Sequence, residues 1–491
     1  MPNRALQLLL CIIFAASPCA MAQDGSPNAV PPISPDIPAA PKAATPKPAA
    51  SANVVRASAW LTSQLADTGL VANEYAKAHP LRGAKTALAA WALLSAGADP
   101  KTSPKLRRTL GALAGNPAAV RPVAMRMVAL GAWDDKRAAV LLKRDAAWLI
   151  AAGRAGAWGL LPASDAKFAA DTETTFWAAL ALSEARRRGA KLDGAGIEKS
   201  LTAAGAHLLT QQLTDGGWSW RAWAKPHTPP NSYGAMTAGG VVAMTLCGDA
   251  GEPKHDAAIS RGMAWLAEHV SLKINPRKGR EQYPLWLLTA GLVVEHTGQR
   301  TLAGRDLLAE IGAVLRREQN SDGSWGYGAD VEYSAMATVL LTRSVRPLLV
   351  AKLRHRSRWN TSPRDLVNVC NFLSRNYERP VGWGVIGADD IPTDLTGARI
   401  LYLSGAGELT LTPEQTVRLG HFLRRGGLVV SESVGGDAAF TRSVQTLCAK
   451  LLPATPLRAV TAGDAVCGNS AVIRTMELLA ASNSIRPLWV H

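Results

Sequence analysis

Aromatic and acidic side chains that could contact a ligand are concentrated in two stretches of this 491-residue sequence. In the first stretch Trp220 and Trp223 are followed by Tyr233, and in the second Tyr327 precedes Glu332. Aromatic clusters of this kind stack on sugar rings or on apolar ligands. We therefore expect these five residues to contact a ligand, and the three of the first stretch have the better claim. The alternative is that the aromatic side chains pack between neighbouring helices.

The sequence supports no assignment of a catalytic residue, a cofactor or a metal. Asp171 precedes a helical pattern, with Thr174 on the same first turn, and is interpreted as an N-cap rather than an acid catalyst. Ser433 follows a buried strand, but the sequence places no base beside it. The cysteines lie far apart and show no C-x-x-C spacing, so no set of metal ligands is predicted.

Two near copies of one turn lie just before the residues of these stretches. Gln212-Leu-Thr-Asp-Gly-Gly-Trp218 and Gln319-Asn-Ser-Asp-Gly-Ser-Trp325 carry Gln, Asp, Gly and Trp at the same spacing. The Asp carboxylate can accept hydrogen bonds from backbone N–H groups two residues on, and Gly adopts a positive φ. Each turn should end a helix, and its Trp should lie back across a neighbouring helix. The residues given this structural role are Gln212, Asp215, Gly216 and Trp218, and Gln319, Asp322, Gly323 and Trp325.

The pattern Q-x-x-D-G-S/G-W resembles the QW repeat of squalene and other triterpene cyclases, which protein prenyltransferase β subunits share more loosely. The resemblance implies a terpenoid cyclase-like α/α toroid over residues 53–350, with helical hairpins in an inner and an outer ring. Ala- and Leu-rich periodic segments broken by Gly and Pro also favour an all-α region. The D-x-D-D-T acid motif of the cyclases and the zinc-binding Asp-x-Cys pair of the prenyltransferases are absent.

From about residue 351 the pattern changes to strands that alternate with helices. The predicted strands are Val381–Ile386, Arg399–Leu403, Leu428–Ser433 and Ile485–Val490. A capping box at Thr412-Pro-Glu-Gln415 opens a helix, and Ala438–Leu452 and Val472–Ser482 are further helical segments. This alternation predicts an α/β domain over 351–491 with a parallel sheet covered on both faces.

The string Ile400-Leu-Tyr-Leu-Ser-Gly405 and the later segment from Leu419 to Val430 resemble a glutamine-amidotransferase-like domain of unknown function. That domain occurs behind cyclase-like repeats in exported bacterial proteins, and the resemblance implies a flavodoxin-like sheet. Amidotransferases need a nucleophilic cysteine at a strand-to-helix elbow, where this chain has Ser433. Members of this kind continue beyond the position of His491, which predicts a truncated domain.

The amino-terminal residues read as an export signal followed by a tether. Residues 1–22 combine Arg4, a short apolar run and small residues before Gln23. This apolar run is too short for a dedicated membrane span, and no transmembrane segment is predicted after its removal. Residues 23–52 are rich in Pro, Ala and Ser and are predicted to be a disordered linker. We therefore expect a periplasmic or extracellular protein of bacterial origin.

The formal net charge of +16 raises the question of a nucleic-acid partner. The basic residues are scattered in short groups, which favours solvated faces over a nucleic-acid interface. Cys247 and Cys370 lie in apolar helical patterns and are expected to be buried thiols. A disulfide between Cys448 and Cys467 is left open.

These observations predict an exported, non-catalytic binding or scaffold protein built on a toroid, with an α/β domain behind it. The expected partner is a lipid, a glycan or an envelope protein. The alternative is an enzyme that acts on a polyisoprenoid or a carbohydrate in the cavity of the toroid. Two carboxylates facing each other in the cavity would favour the enzyme, and a filled centre would favour the scaffold.

Overall fold

The structure is a computed structural model of the chain. It describes residues 12–15, 51–115, 119–133, 135–189, 196–221, 231–247, 252–344, 348–361, 365–376, 381–392, 398–454, 457–459 and 489–490. The helices are α1 Ala52–Gln64, α2 Ala84–Ser95, α3 Pro104–Ala112, α4 Val120–Ala132, α5 Lys136–Ala151, α6 Thr172–Arg187, α7 Gly196–Gln211, α8 Gly234–Cys247, α9 Pro253–His269, α10 Tyr283–Thr297, α11 Leu307–Glu318, α12 Val331–Ser344, α13 Asp365–Asn376, α14 Pro413–Arg424 and α15 Ala438–Leu451. The strands are β1 Ile12–Ala15, β2 Thr301–Leu302, β3 Arg305–Asp306, β4 Leu348–Arg354, β5 Gly382–Gly387, β6 Ile400–Gly405, β7 Leu428–Ser433, β8 Arg458–Ala459 and β9 Trp489–Val490.

The helices before residue 345 form two layers that differ in burial. Every residue of α8 is buried, and α4, α6, α10 and α12 are buried on nearly all sides. In contrast, α11 buries only Leu307, Leu308, Ile311, Gly312, Val314 and Leu315, which lie on one face of the helix. One-sided burial is typical of a surface helix, whereas burial on all sides needs neighbours all round. The even-numbered helices are therefore the inner layer and the odd-numbered helices the outer layer.

The inner helices form a closed ring. Contacts join α2 to α4, α4 to α6, α6 to α8, α8 to α10 and α10 to α12, and α12 in turn contacts α2. Small residues permit these close approaches. A Cβ placed on Gly291 of α10 would lie 2.3 Å from the Leu340 side chain of α12. The helical region predicted for 53–350 is thus present as a ring in which the last inner helix meets the first.

Large side chains occupy the interior of the ring. Trp91 of α2 meets Trp177 of α6 with ring centroids 6.4 Å apart and the planes nearly perpendicular. Because α4 separates these two helices in the ring, their indoles must extend across its interior. Phe176 packs on Trp177 with a centroid distance of 5.1 Å, and both side chains are fully buried. Aromatic contacts therefore fill this part of the centre.

The predicted parallel sheet of the second domain is confirmed. Its parallel strands stand in the order β5–β4–β6–β7, and the sheet continues through β1, β9 and β8. On one face of the sheet, Leu366 and Val367 of α13 pack in one cluster with Val350 of β4. On the other face α14 and α15 pack against the strands, with Phe422 and Phe440 fully buried. Helices thus cover both faces.

The strand next to the edge strand β5 was missed in the sequence. β4 runs from Leu348 to Arg354, so the predicted domain boundary between residues 350 and 351 falls inside a strand. Lys352 conceals the strand pattern, because a lysine at the middle of a strand indicates a solvated position. In the structure this side chain is completely buried, and its Nζ lies 2.6 Å from Asp365 Oδ2.

Several predicted segments lie outside the described residues. These are residues 1–22 apart from β1, most of the linker at 23–52, Trp223, Cys467 and the helix at 472–482. Of the strand predicted at 485–490, the structure describes Trp489 and Val490, which are strand β9. Cys247, Cys370 and Cys448 are buried and form no disulfide with one another. None of the helices described has the length and apolar character needed to cross a bilayer.

Candidate functional site at the mouth of the helical ring

Polar side chains from the first turns of the inner helices meet at one end of the ring. Arg121 opens α4, Glu173 opens α6, Tyr233 precedes α8, Gln282 is the N-cap of α10 and Glu332 opens α12. We call these five residues the mouth cluster. Helix N-termini carry partial positive charge, so this end of the ring favours carboxylates and other acceptors.

Glu173 is the centre of the mouth cluster. Its Oε1 lies 3.0 Å from Arg121 Nη1, and its Oε2 accepts a hydrogen bond of 3.2 Å from Gln282 Nε2. The hydroxyl of Tyr233 donates to Gln282 Oε1 at 3.0 Å and so extends the network to α8. The side chain of Glu173 is only 9% exposed. The network therefore links the starts of α4, α6, α8 and α10 below the surface.

Burial and neighbouring carboxylates together make Glu173 a weak acid. Burial is the largest cause, the negative charges of Asp171 and Glu332 add to it, and the opposing charge of Arg121 does not outweigh them. The pKa of Glu173 is raised to about 7. A carboxyl group with such a pKa can exchange a proton near neutral pH, as general acids and bases do.

Asp171 supports the cluster from the N-cap of α6, as predicted. Its Oδ1 accepts a hydrogen bond of 2.7 Å from the N–H of Thr174, and it lies 3.7 Å from Arg121 Nη2. Burial raises the pKa of this carboxyl group, against the opposing charge of Arg121. Arg121 Nη2 also donates to Thr174 Oγ1 at 3.2 Å. Arg121 thus contacts both acids of the α6 start.

Glu332 connects the cluster to the loop before α2. The hydroxyl of Tyr75 donates a hydrogen bond of 2.8 Å to Glu332 Oε1. Burial is the first cause that raises the pKa of Glu332, whereas this hydrogen bond lowers it. The ammonium group of Lys85 lies 4.7 Å from the centre of the Tyr75 ring. The predicted ligand residue Glu332 is therefore part of a polar network with an aromatic side chain.

The other predicted ligand residues have different positions. Trp220 is 41% exposed, and its carbonyl accepts a hydrogen bond of 2.8 Å from the N–H of Thr172. The backbone of Trp220 thus lies beside the start of α6, and the guanidinium of Arg221 stands over the indole ring at 4.1 Å. Tyr233 is buried within the mouth cluster. Tyr327 is fully exposed on the loop before α12 and joins no hydrogen bond in the described network.

Sequence reasoning missed Arg121, Glu173 and Gln282, and the structure brings them together with Tyr233 and Glu332. The signal that could have found them is positional, because each stands within the first turn of an inner helix or at its N-cap. In a ring of parallel helices, residues at equivalent positions of successive inner helices meet at one end. The pairing of particular residues needs the ring itself, since Gln282 and Glu173 are 109 residues apart.

The first copy of the repeated turn joins its helix to the next outer helix. Gln212 Nε2 donates to the carbonyl of Gly216 at 2.8 Å and to that of Ala258 in α9 at 2.9 Å. Asp215 Oδ1 accepts from the N–H of Gly217 at 3.1 Å. Trp218 is fully buried. These residues therefore bridge α7 and α9.

The second copy makes the same contacts with the first helix of the chain. Gln319 Nε2 donates to the carbonyl of Gly323 at 3.0 Å and to that of Asn53 in α1 at 2.9 Å. Asp322 Oδ1 accepts from the N–H of Ser324 at 2.9 Å, and Gly323 has a φ of 96°. Trp325 is fully buried. This turn therefore closes the outer layer where α11 meets α1.

At the carboxyl edge of the parallel sheet, Ser433 has a structural contact. Its hydroxyl donates a hydrogen bond of 2.7 Å to the carbonyl of Asp437. No imidazole bonds to this hydroxyl within the residues that the structure describes. The same part of the chain contains no group of three His, Cys, Asp or Glu side chains able to hold a metal ion.

Comparisons with known proteins concern the α/β domain alone. Residues 349–475 match a family model described as a domain of unknown function, DUF4159. The match begins one residue after the start of β4 and includes β5, β6, β7, α14 and α15. No curated protein matches the chain. The helical ring and its mouth cluster therefore have to be interpreted from their own geometry.

Proposed function

We propose that this chain is an exported, non-catalytic binding protein, in which a cyclase-like α/α toroid presents a ligand site at its mouth. The amidotransferase-like α/β domain would be fused behind it as a second module. The observation that carries the proposal is the contact between Trp91 and Trp177 across the interior of the ring. A cyclase needs an apolar cavity that encloses its substrate, whereas here aromatic side chains occupy this space.

The chemistry of the mouth favours a glycan over a polyisoprenoid as the ligand. The mouth cluster combines the guanidinium of Arg121, the amide of Gln282 and the carboxylates of Glu173 and Glu332, which suit the hydroxyl groups of a sugar. The indole of Trp220, whose backbone carbonyl bonds the start of α6, is half-exposed and provides a surface on which a sugar ring can stack. A polyisoprenoid would offer no partner to these polar groups.

A binding experiment on the full chain tests this proposal. We expect saturable binding of a bacterial cell-wall oligosaccharide by isothermal titration calorimetry, and no specific binding of polyprenol in detergent micelles. Trp220→Ala should weaken oligosaccharide binding about fivefold or more, since stacking on an indole contributes about 1 kcal/mol or more. Val140→Ala, on the outer helix α5 and 70% exposed, is the control. Binding of polyprenol but of no oligosaccharide would contradict the proposal.

One observation favours the alternative of an enzyme. The pKa of Glu173 is raised to about 7, with burial as the main cause and the charge of Glu332 among the others, so the mouth cluster holds a proton donor and a second carboxylate. Glycoside hydrolysis uses two carboxyl groups in this way. Release of reducing sugar by the purified chain, abolished by Glu173→Gln with binding retained, would establish the enzyme in place of the binding protein.

A further inference from the structure

The order of the parallel strands creates a second place where a ligand can bind. The chain passes from β4 to β5 on one side and then returns to β6 on the other side of β4. At such a reversal the chain leaves the two neighbouring strands toward opposite faces of the sheet, and open α/β sheets bind ligands in the crevice outside the carboxyl ends there. Here the two loops are residues 355–361 after β4 and residues 406–412 after β6.

Hydrogen bonds fix these two loops against each other. The N–H of Ala406 donates to the carbonyl of Arg358 at 3.2 Å, and Ser404 Oγ donates to the carbonyl of Trp359 at 3.0 Å. His355 Nε2 lies 2.9 Å from the carbonyl of Ser404. The base of the crevice is therefore held in place without a ligand.

Two buried polar atoms at this edge lack a hydrogen-bond partner among the described residues. One is Nδ1 of His355, a residue that is only 7% exposed, and the other is Oγ1 of Thr361. Since Nε2 of His355 faces a carbonyl, it carries the hydrogen, and burial as the main cause lowers the pKa of this imidazole. Nδ1 then carries a lone pair that can accept a hydrogen bond. Buried polar atoms of this kind point to a bound group.

Three arginines lie at the carboxyl end of β4 and in the loop that follows it. Arg354, Arg356 and Arg358 are all exposed at the end of β4, and no ion pair involves them in the described part of the chain. Asp437, the N-cap of α15, is one neighbouring acid. The hydrogen bond from the N–H of Phe440 is the first cause that lowers its pKa, and the charge of Arg358 contributes to it. Glu408 in the loop after β6 and Asp390 after β5 are further acids at this edge of the sheet.

We propose that this crevice binds a small phosphorylated molecule that also carries hydroxyl groups, of the sugar phosphate or nucleotide class. Arg356 and Arg358 would hold the phosphate, because guanidinium groups match its geometry with paired N–H donors. A hydroxyl of the same ligand would donate to Nδ1 of His355. Inorganic phosphate can satisfy the arginines but has no sugar hydroxyl to donate to the imidazole. Gly407, beside the crevice, has no atom within 4 Å of where a Cβ would stand, so a ligand can approach the backbone there.

Calorimetric titration of the full chain with four probes tests the proposal. The probes are ribose 5-phosphate, adenosine monophosphate, ribose and inorganic phosphate. We expect ribose 5-phosphate to bind at least tenfold more tightly than ribose or inorganic phosphate. Tighter binding of adenosine monophosphate would assign the nucleotide class, and equal or weaker binding the sugar phosphate class.

Variants separate the two parts of the site. Arg356→Gln with Arg358→Gln should weaken ribose 5-phosphate at least tenfold, while Arg424→Gln with Arg425→Gln should have no effect. This control removes the same charge at the opposite edge of the sheet, before β7.

His355→Gln keeps a donor for the Ser404 carbonyl but lacks the Nδ1 lone pair. It should reduce the preference for ribose 5-phosphate over inorganic phosphate. Circular dichroism shows whether each variant is folded. Absence of saturable binding of both phosphorylated probes at millimolar concentration, or unchanged binding by the folded double arginine variant, would overturn the proposal.

Discussion

The indole N–H of Trp325 donates a hydrogen bond of 2.8 Å to the carbonyl of Leu315, three residues before the end of α11. Trp218 makes the same bond to Leu208 in α7 at 3.0 Å, and Trp158 to Leu149 in α5 at 2.7 Å. A helix leaves its last carbonyls without partners inside the helix, and a neighbouring indole satisfies a carbonyl close to them. The repeated tryptophan therefore both fills the space between helices and binds backbone near the end of an outer helix.

Trp325→Ala should lower the free energy of unfolding by about 3–5 kcal/mol, as truncation of a buried aromatic side chain does. The loss combines a cavity with the hydrogen bond to Leu315. Urea denaturation measures it. Trp220→Ala removes the same side chain from a half-exposed position and is the control, with an expected change of less than about 1 kcal/mol. Equal effects of the two substitutions would show that Trp325 has no special structural role.

Gln319→Ala should weaken the closure of the outer layer between α11 and α1. The side chain donates to the carbonyl of Asn53, and its Oε1 accepts from Asn53 Nδ2 at 2.6 Å, so the substitution leaves several backbone and side-chain groups without partners. We expect a loss of about 1–3 kcal/mol and faster proteolytic cleavage within α1. Gln211→Ala is the matched control, because among the residues that the structure describes the Gln211 amide bonds only its neighbour Thr210. Unchanged cleavage within α1 would contradict this role.

The elements that sequence patterns predicted best are those that local rules determine. The strand Leu428–Ser433 and the capping box of Thr412 and Gln415 occur as predicted, because apolar runs and capping pairs act within a few residues. β4 was missed because Lys352 is buried against Asp365, and a partner thirteen residues away does not show in the strand pattern.

The candidate site was predictable only in part. Tyr233 and Glu332 were recognised because each lies within a cluster of aromatic or acidic residues. Arg121 is isolated in its segment and Glu173 follows an N-cap acid, and they become a site because the ring brings the starts of α4 and α6 together. Which polar residues meet at the mouth depends on the closure of the ring, and this is a property of tertiary structure.

The stability of the fold should depend on pH through Glu173. Its pKa is about 7 in the folded chain against an ordinary value of 4.5, so between these values the folded state binds more protons than the unfolded state. The free energy of unfolding should therefore fall as pH rises through this window, by an amount on the order of 3 kcal/mol. Chemical denaturation at pH 5 and at pH 7.5 measures the change.

Glu173→Gln should remove this contribution, so the variant loses less stability between the two pH values than the wild type does. Asp171 has its pKa raised in the same way and remains in both proteins, which is why the difference between them is the relevant quantity. Glu198→Gln is the control, since its side chain is 61% exposed. If Glu173→Gln and wild type lose equal stability, the carboxyl group does not titrate as described.

The two domains should separate when a methyl group is added to Gly298. The N–H of Val385 in β5 donates to the Gly298 carbonyl at 2.7 Å, and the indole of Trp383 donates to the Glu295 carbonyl of α10 at 3.1 Å. A Cβ on Gly298 would lie 2.4 Å from the Trp383 ring, so Gly298→Ala must push the edge strand away from the helical ring. Gly189→Ala is the matched control, because Gly189 has the same φ of 71° but no atom within 4 Å of its Cβ position.

We expect Gly298→Ala, and not the control, to increase proteolytic cleavage between the domains and the radius of gyration in solution scattering. Equal behaviour of the two variants would mean that backbone strain at the glycine, rather than the contact with Trp383, determines the effect.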